Sequence, residues 1–258
     1  MTSSYSAITK DLQALRNPEK AKLLQRFFKT GKGQYGEGDV FLGIVVPKQR
    51  EVVKKHWKKA GLADLQQMLS SKIHEYRLVA LLMLVEQYKQ AEKEKDRARC
   101  KAIFDFYLKQ AGAGRINNWD LVDSSAPYIV GGYLHALGGE EWKKVLVPLA
   151  KSEKLWERRI AVLATLYFTV KGQHYEPARQ MCEMVLQDSH DLMHKASGWM
   201  LREVGKRGGE GVLREFLDQH AKRMPRTMLR YAIERMDEKS REKYMQKGPK
   251  GAKRSART

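Results

Sequence analysis

The sequence predicts an all-α protein, a superhelical solenoid of antiparallel helix pairs with a concave basic groove, and three observations lead to this prediction. Apolar residues recur at helical spacing along almost all of the 258 residues. Alternation typical of β-strands is confined to residues 39–46. Because proline follows directly, we interpret that run as an extended connector. Lysine and arginine number 49 against 30 aspartates and glutamates, a net charge of +19, so we expect an anionic partner.

Local signals place the helices in chain order. Asn17 is a natural N-cap ahead of Pro18, and Glu19 complements the positive end of the helix dipole. Pro47 suits a first helical turn, and Gly61 suits a helix end. The predicted helices are 5–15, 18–29, 47–60, 62–70, 73–90, 95–111, 118–137, 140–151, 155–171, 175–187, 191–206, 210–222, 225–236 and 238–246, with a glycine-rich loop at 31–38.

A weak internal repeat organises these helices. Similar segments begin at Tyr76, Asn118, Glu157 and Met193, in steps of 42, 39 and 36 residues. Steps near 40 are typical of HEAT-like helix pairs, whereas an irregular helical bundle shares the helical pattern without an extended groove. Since no linker interrupts the periodicity, we expect one domain over 1–246 and a basic flexible tail over 247–258.

Several classes of protein and site are not expected. The longest apolar run, which includes 79–85, is far shorter than the roughly 20 residues of a membrane span. The chain start lacks a basic segment followed by an apolar one, so we expect a cytoplasmic protein. Cys100 and Cys182 are far apart, and the seven histidines show no ligand spacing. The glycine-rich loop matches no nucleotide-binding motif. We therefore expect no metal and no cofactor.

The basic residues are unevenly distributed. Residues 222–258 contain 13 Lys and Arg against 4 Asp and Glu, nearly half of the net excess. Such a tail either keeps the protein soluble or contacts phosphates in a salt-dependent way. Arg77, Arg159 and Lys195 recur near the starts of the repeated segments. On concave-face helices they would form a curved basic groove, which suits a duplex.

The strongest candidate for chemistry is the segment Asn118-Trp119-Asp120-Leu121-Val122-Asp123. Trp119 and Asp123 are four residues apart and share a helix face, which Asp120 joins at three-residue spacing. Helix capping, salt bridges and core filling are plain structural uses of these residues. A carboxylate on a face that binds nucleic acid is repelled by phosphate. Its presence there is useful if it faces positive charge that develops during a reaction.

A family resemblance becomes specific when four motifs are taken together in chain order. They are Phe41-Leu42-Gly43-Ile44 with Val46-Pro47 and Arg50, the Trp119–Ser124 segment, Trp156 with Arg159, and Gly198-Trp199-Met200-Leu201-Arg202-Glu203. Over roughly residues 10–245 the chain resembles the AlkD-like DNA alkylation repair proteins, which are HEAT-like-repeat DNA glycosylases. The resemblance implies base excision repair of cationic N3- or N7-alkylated purines without extrusion of the base into a pocket.

Matched residue by residue, the resemblance implies roles for the candidate site. Asp123 corresponds to the carboxylate that stabilises the developing sugar cation or positions water. Trp119 and Trp199 correspond to the aromatic pair at the lesion's sugar and backbone, and Arg159 to a phosphate contact. Arg202 shares a helix face with Trp199 and is a further candidate phosphate contact. Phe27 stands where some members carry an aromatic hydroxyl, and a contact that depends on that hydroxyl is absent here.

Three interpretations of the function remain at this level. The first is a monomeric glycosylase acting on double-stranded DNA that contains alkylated purines, located with the nucleoid in the cytoplasm. The second is a non-catalytic helical module that binds nucleic acid by shape and charge. The third is a scaffold for an acidic peptide partner. They differ most simply in whether the protein releases a base from alkylated DNA.

Overall fold

The computed structural model describes residues 4–248 and confirms the predicted all-α class. Within those residues the β pairing consists of one isolated bridge, between Val40 and Ile73. The chain forms two compact units, which divide between Tyr133 and Leu134. The single domain over 1–246 and the concave groove stay predictions. Except for Lys247 and Gly248, the predicted basic tail lies outside the described residues.

The first unit surrounds one long helix, α5, which is buried along most of its length. This helix packs against α3, α4 and α6, and Leu81, Met83 and Leu84 are fully buried at its centre. The predicted cap of α2 is present, since Asn17 accepts a hydrogen bond from the backbone N–H of Lys20 at 3.0 Å. The helices are α1 (Ser4–Ala14), α2 (Pro18–Phe27), α3 (Val46–His56), α4 (Leu62–Leu69), α5 (His74–Lys93), α6 (Arg97–Gly112) and α7 (Trp119–Asp123).

The predicted helix over 118–137 is wrong in one respect, because the chain breaks after one turn. Helix α7 ends at Asp123, a π-helical segment covers Pro127–Gly131, and α8 (Gly132–Leu137) follows. Pro127 has no N–H to donate to the carbonyl of Asp123, and its ring would collide with that carbonyl in a continuous α-helix. The break leaves Asp123 at a helix end rather than inside a long helix.

The second unit is built on α10 and α12. Helix α10 packs against α9, α11 and α12, and α12 packs most extensively against α14. Gly198 permits this closeness, because a Cβ at that position would lie 2.5 Å from the carbonyl oxygen of Met228. The helices are α9 (Glu141–Ala150), α10 (Leu155–Lys171), α11 (Glu176–Met184), α12 (Asp191–Gly208), α13 (Glu210–His220), α14 (Arg226–Ala232) and α15 (Glu238–Lys247).

Helices adjacent in sequence pack together in both units, for example α4 with α5 and α10 with α11. Helices two apart in sequence also pack, for example α3 with α5 and α10 with α12. In neither unit do the described residues include a helix long and apolar enough to cross a membrane.

Candidate functional site

The connector that precedes α3 is fixed by one buried carboxylate. Glu75 accepts hydrogen bonds from the backbone N–H groups of Leu42, Gly43 and Ile44 at 2.9, 2.8 and 3.2 Å. Gly43 has φ +84°, and a Cβ there would lie 2.1 Å from the carbonyl oxygen of Asn17, so this position requires glycine. The predicted motif at residues 41–44 is therefore a rigid strap across the start of α5.

Helix α7 carries two of the predicted site residues on a single short turn. Trp119 and Asp123 are both half-buried, whereas Leu121 and Val122 between them are fully buried and anchor the helix. Asp123 lies close to the buried Tyr107. Burial, and in smaller part the negative charge of Asp123, raise the pKa of the Tyr107 phenol above its usual value. The helix therefore presents an indole and a carboxylate at a partly solvated surface.

Aromatic side chains from the end of α2 hold the Trp119 indole. Phe28 stacks on it with ring centroids 5.3 Å apart and planes 10° apart, and Phe27 meets it edge-on at 6.2 Å. Phe28 also packs against the rings of Phe41 and His74, with ring centroids 5.0 and 4.9 Å apart. The indole is therefore oriented by packing. Phe27, which is 63% exposed, extends the aromatic surface beside it.

A buried charged cluster lies beneath α7 and was not foreseen from the sequence. His74 places Nδ1 3.0 Å from Asp39 Oδ2 and Nε2 2.7 Å from Asp120 Oδ2. Arg77 Nη2 lies 2.5 Å from Asp39 Oδ1, and Asn118 donates to Asp39 Oδ2 at 3.3 Å. His74, Asp39 and Arg77 are each 5% exposed or less. We call Asp39, His74, Arg77 and Asp120 the charged cluster.

The protonation states of the charged cluster follow from these contacts. Burial alone would lower the pKa of His74, but the carboxylates of Asp120 and Asp39 outweigh it and raise the pKa to about 9. Burial likewise opposes ionisation of Asp39, yet His74 and Arg77 hold its pKa below the usual value. At neutral pH His74 is therefore a cation and Asp39 an anion.

The remaining predicted site residues lie on α10 and α12 of the second unit. Trp199 is half-buried on α12. Arg202 on the same helix forms an ion pair with Glu234, and Lys195 forms one with Asp191 at 2.7 Å. Arg159 on α10 is 4% exposed and donates from Nη1 to the carbonyl oxygen of Leu192 at 2.5 Å.

The structure thus places some of the predicted residues together in the first unit and others in the second unit. Trp119 and Asp123 share α7, and Arg77 lies below them, buried and paired with Asp39 rather than facing a surface. Arg159 is also buried, in the second unit. The phosphate contacts expected of Arg77 and Arg159 stay predictions, as does the meeting of the α12 residues with Asp123. Asp120, expected beside Asp123 on an open face, instead pairs with His74.

Two further observations bear on what this site can hold. A cavity of about 300 Å³ opens beside the charged cluster, with apolar walls from α2 and the connector and with His74 and Asp120 at its edge. Among residues 4–248, no three His, Cys, Asp or Glu side chains are arranged to bind a metal ion.

Comparison with known proteins identifies one family. The family model described as DNA alkylation repair enzyme matches residues 8–236. Among solved structures, a chain described as a predicted DNA alkylation repair enzyme from Enterococcus faecalis is similar, with a TM-score of 0.65 and 19% sequence identity. The similarity covers 86% of this chain and 97% of that one, and at this identity it concerns the fold. No curated protein matches this sequence.

Proposed function

Because the chain belongs to the DNA alkylation repair enzyme family, we propose that it is a metal-independent DNA glycosylase of base excision repair. The family supports the coarser statement, a role as an enzyme of DNA repair. The proposed reaction is hydrolysis of the N-glycosidic bond of cationic N3- or N7-alkylated purines in duplex DNA. We propose that the base leaves without first being extruded into a pocket.

The observation that carries the proposal is the placement of Asp123 and Trp119 on α7. Asp123 is half-buried at the end of that helix, where neighbouring apolar residues exclude much of the solvent. An alkylated purine is already cationic and leaves as a neutral base, while positive charge develops on the deoxyribose. A fixed carboxylate stabilises that charge more strongly at a partly dehydrated site than in water. The same carboxylate can orient the attacking water.

The indole of Trp119 suits the sugar that Asp123 would serve. An aromatic face accepts the C–H groups of deoxyribose and attracts a developing cation. Phe28 covers one face of this indole and fixes its orientation. In the same proposal, Trp199 on α12 supplies the second indole. Phe27 adds apolar area at the position where some relatives have a hydroxyl, so any contact it makes with DNA is through its ring.

Exposure favours Arg202 and Lys195 as the phosphate contacts. Both are only partly buried, and each is paired with a carboxylate at the surface, that of Glu234 or Asp191. A surface ion pair contributes about 0–1 kcal/mol, so a DNA phosphate can replace the carboxylate at low cost. The net charge of +19 supports salt-dependent attraction to DNA as a whole.

The proposal is tested by incubating the full chain with duplexes that contain N3-methyladenine or N7-methylguanine, in the presence of EDTA, and measuring free base by chromatography. We expect release well above spontaneous depurination, and no base release from the same duplex without methylation. A protein that binds both duplexes but releases no base would instead be the non-catalytic nucleic-acid module. Failure to bind duplex DNA at low salt would favour the third interpretation, a scaffold for an acidic peptide partner.

A further inference from the structure

We infer that His74 is a positioning residue, which bridges Asp39 and Asp120 as an imidazolium ion and so fixes α7 in the geometry that the reaction needs. This inference rests on the proposed function, because the reaction in question is the one assigned to Asp123. His74 is 2% exposed and is therefore too deeply buried to contact DNA directly. Its effect must therefore pass through Asp120 and Trp119.

With Asp39 and Asp120 ionised, the hydrogen-bond geometry assigns the charge of His74. Its two ring nitrogens face carboxylate oxygens of different residues, at 3.0 Å for Asp39 and 2.7 Å for Asp120. Ionised carboxylates only accept hydrogen bonds, so both ring nitrogens must donate, and only the protonated imidazole has two N–H groups. A neutral ring would satisfy one carboxylate and leave a lone pair directed at the other.

The groups around His74 come from each element that packs against it. Asp39 lies at the start of the connector, Arg77 lies one turn further along α5, and Asp120 lies on α7. Glu75, the next residue of α5, accepts hydrogen bonds from the N–H groups of residues 42–44, and Lys20 of α2 lines the cavity. Loss of the His74 proton would leave one cation, Arg77, beside the two carboxylates of the cluster, an arrangement that burial makes costly.

Two links connect His74 to the proposed reacting groups. Asp120 lies three residues before Asp123 in the same short helix, so a shift of Asp120 turns α7 and moves Asp123 with it. Phe28 packs on the His74 ring and on the Trp119 indole, at 4.9 and 5.3 Å. Because α7 is five residues long, it has little helical hydrogen bonding of its own to resist such a shift.

The experiment compares His74→Gln with the matched control His56→Gln. His56 also pairs with an aspartate, Asp11, at 2.7 Å in the same unit, but it lies at the end of α3. Single-turnover release of N3-methyladenine is measured at saturating protein between pH 6 and 10. We expect His74→Gln to lower the rate about 10- to 100-fold, as misplacement of a reacting group does, with the Kd for undamaged duplex changed by less than about threefold.

The pH profile separates positioning from a merely structural role. The ratio of wild-type to His74→Gln rates cancels the titration of the substrate, and we expect it to fall towards one as pH rises through about 9. For His56→Gln the ratio to wild type stays near one at every pH. A His74→Gln rate equal to wild type, or a ratio independent of pH, would overturn the inference. Should His74→Gln fail to fold, Asp120→Asn tests the same link from the other side, with the same expected loss of rate.

A readout that needs no activity distinguishes failure of the inference from failure of the proposed function. Amide hydrogen exchange of residues 119–125 should become at least about tenfold faster in His74→Gln, while exchange in α12 stays unchanged. If wild type releases no base, the glycosylase proposal fails, and the exchange result still decides whether His74 holds α7. Unchanged exchange in α7 contradicts the inference whatever the activity.

Discussion

The two units hold their candidate site helices in physically different ways. In the first unit, α7 has five residues and rests on buried charges that satisfy one another, with His74 between Asp39 and Asp120. In the second unit, α12 has 18 residues and rests on close packing against α14, with its charged side chains paired at the surface. The first arrangement depends on a proton, and the second depends on the absence of a side chain at Gly198.

The difference indicates how each helix can be disturbed. Breaking a buried ion pair leaves an uncompensated charge, whereas breaking a surface pair leaves two groups that water can solvate. Charged residues of the same types therefore make very different contributions to stability beneath α7 and on the surface of α12. Buried ones set the position of α7, and exposed ones on α12 remain available to exchange a carboxylate for a phosphate.

The largest expected effect is on the stability of the first unit. Asp39→Asn removes the charge that faces both His74 and Arg77, and we expect it to lower the free energy of unfolding by about 4 kcal/mol. The matched change on α12, Asp191→Asn, removes a surface partner and should cost less than about 1 kcal/mol. Urea unfolding followed by circular dichroism measures both. Equal losses in the two variants would contradict the distinction between the units.

A pH effect should follow from His74. Its pKa is raised in the folded state to about 9 from an ordinary value of 6.5. The stabilisation is therefore complete below pH 6.5 and is lost as pH rises through about 9. Since one pKa unit corresponds to about 1.4 kcal/mol, the loss across this range is about 3 kcal/mol. Wild type and His74→Gln unfolded in urea at pH 6 and pH 9.5 give the difference, which should shrink at the higher pH.

The packing of α12 against α14 should be insensitive to pH but sensitive to added side-chain volume. Gly198→Ala places a methyl group 2.5 Å from the carbonyl oxygen of Met228, and overpacking of this kind costs about 2 kcal/mol. We expect that loss to be the same at pH 6 and pH 9.5, in contrast to the His74 effect. A loss that changed with pH would place a titrating group in the α12–α14 contact.

The smallest expected effect concerns the exposed cations. Arg202→Gln and Lys195→Gln should each leave the free energy of unfolding within about 0.5 kcal/mol. If these residues contact phosphates, each change should reduce the salt dependence of DNA affinity, lowering the slope of log K against log salt by about one. Lys101→Gln is the control, because Lys101 pairs with Asp105 on the exposed face of α6. If Arg202→Gln and Lys195→Gln left the slope as unchanged as the control does, the α12 cations would not be part of the DNA interface.

Local sequence signals predicted the helices well and the charged cluster not at all. The Asn17 cap and the proline at position 47 each act within a few residues, and most helices begin and end near the predicted positions. Gly61, which was expected to end a helix, instead caps the start of α4, because α3 already ends at His56. The interruption after Asp123 was missed because apolar spacing continues through Pro127, although the proline itself was a signal. His74 pairs with residues 35 and 46 positions away, and helical periodicity carries no information on such distant partners.

The roles of the basic residues show the same limit. Arg77 and Lys195 occupy the same repeated position, near the start of a long helix. The structure buries Arg77 against Asp39 and leaves Lys195 at the surface with Asp191. An error of one residue in helix phase rotates a side chain by about 100°, and that is enough to exchange a buried cation for an exposed one.

The most direct test of the central claim is the single-turnover rate of base release by Asp123→Asn at saturating protein on N3-methyladenine duplex. The substitution keeps the shape of the side chain and removes its charge. We predict a rate at least about 100-fold below wild type, the scale of losing one electrostatic contact in a transition state, with DNA affinity retained. Asp105→Asn, an exposed carboxylate in the same unit, should match wild type. Release by Asp123→Asn at the wild-type rate would contradict the account.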